Sequence, residues 1–158
     1  MELSSCRAAA KRILINAGKA VWKVRVYWLS FLLPAAILFV SYIIFQVWPF
    51  GENSVLSLDL NAQYVYYYDY MYDVFAGKES LFYSWSRNLS GEFMGIIGYY
   101  LASPFNILVW LFPRKMITEG LLTMMVAKAA AAGLSCCFLL KKHRGYGNLT
   151  AVMFSVMY

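Results

Sequence analysis

The chain of 158 residues is 61% hydrophobic, 18% aromatic and only 14% charged. A soluble domain of that length keeps a large share of its residues outside, so a water-soluble fold is excluded and an all-α, polytopic membrane protein is the expected class. The formal net charge of +6 does not indicate a nucleic-acid partner, because it gathers in one arm beside an apolar run and not on a soluble fold.

That arm comes first. Within residues 1–25, Arg7, Lys11, Arg12, Lys19, Lys23 and Arg25 are opposed only by Glu2. Cations next to a span mark its cytoplasmic side, and they suit contact with anionic headgroups. Residues 26–48 are the first predicted transmembrane helix: they carry no charge, and about 20 residues at 1.5 Å each cross a hydrocarbon layer of roughly 30 Å. Tyr27, Trp28 and Trp48 stand at its two ends, where amphipathic rings favour the headgroup level. A cleaved signal peptide does not fit, since the run is too long, its exit is bulky and it lacks a small-residue cleavage site.

Residues 49–116 are expected to form the first extracytoplasmic loop, with interfacial or re-entrant helices. Six of the eight acids lie here: Glu52, Asp59, Asp69, Asp73, Glu79 and Glu92. The spacing predicts a helix over 60–76, with Asp59 as a possible N-cap and Gly77 ending it. Asp69 and Asp73, four apart, share one face beside Tyr66 and Tyr70. Tyr64, Tyr67, Tyr68, Met71 and Phe75 lie on the other, as in a helix lying along a membrane surface.

The uncharged run 93–113 is long enough to span, but Ser103-Pro104-Phe105-Asn106 interrupts it, and proline removes a backbone donor while clashing with the preceding turn. Residues 117–140 are the second predicted transmembrane helix, followed by the basic loop 141–147 containing Lys141, Lys142, His143 and Arg144. If both runs span, those cations fall outside. If only the second does, they fall inside, which the positive-inside bias favours, with Arg114 and Lys115 then outside. Residues 148–158 start a third helix too short to cross, so the chain is expected to be the N-terminal fragment of a longer protein.

Three positions could carry chemistry. A carboxylate at Asp59 could take a proton from an attacking hydroxyl as general base, or it could merely cap the helix. Lys128 sits about 16 Å along its helix from Ile117, deeper than its stem can snorkel. Such a cation meets either a lipid phosphate or a structural carboxylate partner. Nearby Ala129, Ala132 and Gly133 give a small-residue face for close helix packing. Arg87, with Asn88, Ser90 and Gly91, forms a polar turn that could bind a sugar or phosphate, or be a solvated loop. The sequons at Asn88 and Asn148 are chance-prone patterns and are discounted. Cys6, Cys136, Cys137 and His143 have no metal-ligand spacing, and no P-loop, G-x-S-x-G, H-E-x-x-H or dinucleotide fingerprint occurs.

The basic arm, the first span, Ser57-Leu58-Asp59-Leu60-Asn61-Ala62-Gln63-Tyr64, the Gly91 turn, Tyr99-Tyr100-Leu101-Ala102-Ser103-Pro104-Phe105-Asn106, Leu111-Phe112-Pro113 and the Lys128 helix follow one another in an order that resembles the YfhO-like bacterial membrane proteins. These are relatives of the GT-C glycosyltransferases, and the resemblance covers nearly everything after residue 25. It implies a GT-C-like fold and a multi-pass protein of the bacterial plasma membrane with a cytoplasmic N-terminus. The implied activity is outer-face transfer of a sugar from a polyprenyl-phosphate-linked donor to a cell-envelope glycopolymer such as teichoic acid.

The essential acid of the first outer loop in GT-C enzymes maps onto Asp59. Gln63, Tyr64, Arg87 and Lys128 are the expected substrate-binding residues. No cofactor is expected. The motif holds one acid and not an Asp pair, which argues against a metal-binding variant and leaves a divalent requirement open. The partners expected are membrane lipids, the lipid-linked sugar and the acceptor polymer. Two other classes compete: a lipid or sugar transporter or flippase component, with Lys128 on its pathway, and a non-catalytic membrane scaffold.

Overall fold

A computed structural model of the chain describes residues 24–86 and 91–158. Cys6 and most of the basic arm lie outside the described residues, as does Arg87. The chain divides into two compact units, one made of Met1–Ile37 with Ala129–Tyr158 and the other of Leu38–Lys128. Among the described residues, two helices are long and apolar enough to cross a membrane: Val24–Ile44 (α1) and the helix within Arg114–His143. Only 11% of the apolar window of α1 and 33% of the other are buried, whereas the core helix of a soluble protein would be covered on most sides.

In the first unit, the start of α1 packs with the end of the long helix α5 (Ile117–His143) and with α6 (Asn148–Met157). The fully buried positions are small or slim: Ser30, Ala130, Cys137, Ala151 and Ser155, with Val26 beside them. Lipid gives no hydrophobic drive between helices, so close backbone approach through small side chains replaces it. Gly133 is where the approach is closest. A Cβ there would overlap the carbonyl oxygen of Ser30 and lie 2.7 Å from Pro34 Cγ and 3.1 Å from the Ser155 carbonyl oxygen. Pro34 has no N–H, so the Ser30 carbonyl four residues earlier lacks its intrahelical donor, and it is turned toward Gly133. Between α5 and α6 the chain leaves the helix through Gly145 at φ +65°, and Lys141 Nζ donates to Asn148 Oδ1 at 2.6 Å. A lysine in the last turn also favours the negative helix end. These contacts carry α5 to His143, three residues past the expected end.

In the second unit, α1 ends at Ile44, four residues earlier than expected. Gln46 adopts a left-handed φ of +49°, and Asn53 closes the reversal by donating its side-chain amide to the Phe45 carbonyl at 2.8 Å. A π-helical turn, Leu60–Tyr64, runs into α2 (Val65–Phe75), which stops at Ala76 before Gly77 at φ +69°. Strands β1 (Tyr83–Ser84) and β2 (Gly91–Glu92) pair antiparallel, Tyr83 opposite Glu92. Then the apolar run breaks into pieces: α3 (Met94–Ile96), a π-helical turn Ile97–Leu101, a 3₁₀ turn Pro104–Asn106, and α4 (Ile107–Trp110). Ser103 before Pro104 is extended, as a residue preceding proline prefers.

Irregular backbone away from water needs partners, and the tyrosines of α2 supply them. The Tyr72 hydroxyl reaches the carbonyls of Val109 (3.1 Å) and Phe112 (2.8 Å) at the end of α4. The Tyr70 hydroxyl donates to Ser80 O at 2.9 Å. The Tyr68 hydroxyl donates to Oδ1 of fully buried Asn106 at 2.9 Å, whose amide donates to Tyr100 O at 3.0 Å. Around this network pack Met71, Phe93, Ile96, Leu101, Val109, Leu121 and Met124.

Candidate functional site

The segment Ser57–Tyr64 is unusual in its backbone. Leu58 is 89% exposed and holds a left-handed φ of +47°, a conformation that costs a branched residue on the order of 1–3 kcal/mol. Asp59 follows at the helix start and makes no side-chain capping bond. Its carboxylate is exposed and has neither a hydrogen bond nor an ion pair among the described residues. Capping therefore does not account for an acid here.

The π-helical turn then carries Gln63 and Tyr64 toward a second π-helical turn, Ile97–Leu101. π-bulges concentrate at functional positions in helices. The rings of Tyr64 and Tyr100 meet edge to face, 4.3 Å between centroids. Between the turns lies an open cavity of about 340 Å³, lined by Gln63, Tyr67, Glu92, Gly95, Tyr99 and Tyr100 among others. A Cβ on Gly95 would collide with the Glu92 carboxylate, so that glycine makes room for the acid at the cavity. Hydrogen bonding to Tyr64, burial and Tyr99 all push the Tyr100 phenol up from its ordinary value. Burial, reinforced by Tyr64, raises Tyr68 to about 12, and burial leads the rise at Tyr70 and Tyr72. These phenols stay protonated at neutral pH and act as donors.

Among the four substrate-binding expectations, the structure brings Gln63 and Tyr64 together with Tyr99 and Tyr100 from the other motif. Arg87 lies outside the described residues. Lys128 is exposed on α5, without a hydrogen bond or ion pair among the described residues, and it does not bond Asp59. Sequence reasoning missed Arg114. Its guanidinium grips Asp69 through Nε (2.5 Å) and Nη2 (2.6 Å) and reaches Asp73 through Nη1 at 2.9 Å. The signal was present as two acids four residues apart with an arginine just after Pro113, but nothing local joins residues 41 and 45 positions apart. Among the described residues no group of three His, Cys, Asp or Glu side chains could hold a metal ion.

The family model for the bacterial membrane protein YfhO matches residues 30–158. The chain belongs to the YfhO family. The resemblance carried by the order of its motifs is thus membership, and this is a membrane protein. The matched stretch of this YfhO chain takes in Asp59, both π-helical turns, Arg114 and Lys128. No curated protein and no solved structure matches it.

Proposed function

We propose that this YfhO-family chain contributes the first outer loop of a GT-C-like membrane glycosyltransferase, multi-pass in the bacterial plasma membrane with its N-terminus in the cytoplasm. The donor is a polyprenyl-phosphate-linked sugar and the acceptor a hydroxyl of a cell-envelope glycopolymer such as teichoic acid. The observation that carries this reading is the Asp59 carboxylate, which is exposed, engaged in no bond among the described residues, and set between a strained Leu58 and the turn bearing Gln63 and Tyr64. A carboxylate tied up in a cap or an ion pair is a poor base, and among the described residues nothing ties this one up.

In the proposed step the acceptor oxygen attacks the anomeric carbon while its proton passes to Asp59. A carbon–oxygen bond forms, the bond from that carbon to the phosphate oxygen breaks, and the polyprenyl phosphate leaves with the electron pair, inverting the centre. A cation offsetting charge on the leaving group lowers the barrier, and Lys128 is assigned that role. The topology supporting it keeps 49–116 on the outer side, with α1 and α5 spanning. Two contacts support that arrangement: the Arg114 fork to Asp69 and Asp73, and the 2.8 Å bond from Trp48 Nε1 to Glu119 Oε1, which joins the exit of one span to the entry of the other.

Replacing Asp59 with Asn in the native gene tests the base. Sugar incorporation into the envelope polymer should fall about 10²-fold or more, the usual worth of a general base, with membrane insertion unchanged. Retained transfer rejects Asp59. One observation favours a second reading, a lipid or sugar flippase component: Lys128 is a mid-helix cation with no partner among the described residues, as on a transport pathway. Movement of labelled lipid-linked sugar without product on the acceptor would select that reading.

A further inference from the structure

A second cavity, also about 340 Å³, opens in the Leu38–Lys128 unit and shares Tyr67 and Ile96 with the first. Tyr66, Asp69, Asp73, Ser84 and Ser86 are among its other lining residues. Three features define what it can hold. Tyr66 is 63% exposed and lines the cavity, and its ring has no aromatic contact or hydrogen bond among the described residues, so it is open to a stacking guest. Arg114 occupies both oxygens of Asp69 but only Oδ1 of Asp73, which leaves Asp73 Oδ2 as an acceptor with no donor among the described residues. Among the described residues, two carboxylates against one guanidinium leave one negative charge at the rim, which disfavours phosphate and tolerates a neutral guest. Small-molecule sites run from about 300 to 1,000 Å³, so this volume suits a single ring and not a polyprenyl tail.

We propose that this cavity is a subsite for one uncharged pyranose unit. The C–H face of the sugar stacks on Tyr66, and a hydroxyl of the sugar donates to Asp73 Oδ2. Arg114 is a positioning residue that holds the two carboxylates in place. Assigning the guest to a neutral sugar unit of the acceptor, not to a phosphate-bearing part of it, rests on the glycosyltransferase reading, because the shared Tyr67 wall puts it next to the cavity of Gln63. The pyranose chemistry itself does not rest on that reading.

The test uses the whole chain in lipid nanodiscs, with methyl glucopyranoside and methyl galactopyranoside as neutral probes and glycerol 3-phosphate as the anionic one, followed by saturation-transfer NMR. At least one methyl pyranoside should bind saturably, and glycerol 3-phosphate should not displace it. Tyr66→Ala should weaken binding about tenfold, the scale of one aromatic contact, whereas Tyr66→Trp, which keeps a ring, should restore it. Absence of saturable binding, binding unchanged in Tyr66→Ala, or displacement by glycerol 3-phosphate would overturn the subsite. Because binding is read without turnover, its loss leaves the transfer reading standing, and retained transfer in Asp59→Asn leaves the subsite standing.

Discussion

Tyr68 shows how much rests on single hydroxyls. Its ring is buried against Met124 and Trp110, and its O–H serves an asparagine with no exposure at all. Tyr68→Phe leaves Asn106 Oδ1 unpaired in the interior, at a cost of about 1–3 kcal/mol. The alkaline side gives the sign. Burial raises this phenol from 10.0 to about 12, so the protonated form is favoured by folding. The stability it contributes is complete below pH 10 and is lost as pH climbs through about 12. Unfolding in detergent, followed against pH, should show wild type losing its advantage over Tyr68→Phe across that window. An equal gap at every pH would contradict it. Tyr68 was legible as an inward residue of an amphipathic helix, but Asn106, 38 residues away, was legible only as part of a proline-centred break. Asp59 was legible as an acid with two possible duties, and only the geometry removed the capping one.

The end of α2 was readable to within a residue, because Gly77 punctuates the pattern, whereas its expected start at Leu60 is taken by a π-helical turn. The two π-helical turns were not readable. An extra residue in a turn is fixed by what the turn packs against, here Tyr64 on Tyr100, and no local preference announces it. The small-residue face of α5 was readable as a crossing surface, while the partners Ser30, Pro34 and Ser155 come from two other helices. Gly133→Val puts methyl groups into the Ser30 carbonyl and should destabilise the chain by about 1–3 kcal/mol, the ordinary cost of overpacking. Gly98→Ala is the control, since nothing lies within 4 Å of a Cβ there. Thermal unfolding in detergent should separate the two, and equal midpoints would remove the crossing as a determinant of stability.

For the molecule as a whole, composition already required lipid, and two apolar helices answer it. The fate of residues 93–113 was open from sequence, since length allowed a span and Pro104 argued against one. The structure breaks the run into turns of three to five residues and ties Arg114, beyond its end, to Asp69 and Asp73, before its start. The proposed topology puts both flanks of the run on one side of the membrane. Single cysteines at Asp59 and Lys115 should both react with an impermeant maleimide on intact cells, and one at Lys142 only after lysis. Opposite accessibility of positions 59 and 115 would show that the run crosses.

Water normally satisfies the carbonyls of a loop. Here the phenols of Tyr70 and Tyr72 fill that place for Ser80, Val109 and Phe112. These three carbonyls carry their own solvation and need no water to stay paired. In the proposed glycosyltransferase, a segment built this way would reach a substrate whose reactive end lies at the level of the glycerol backbone, where a loop dependent on bulk solvent would have to stay above.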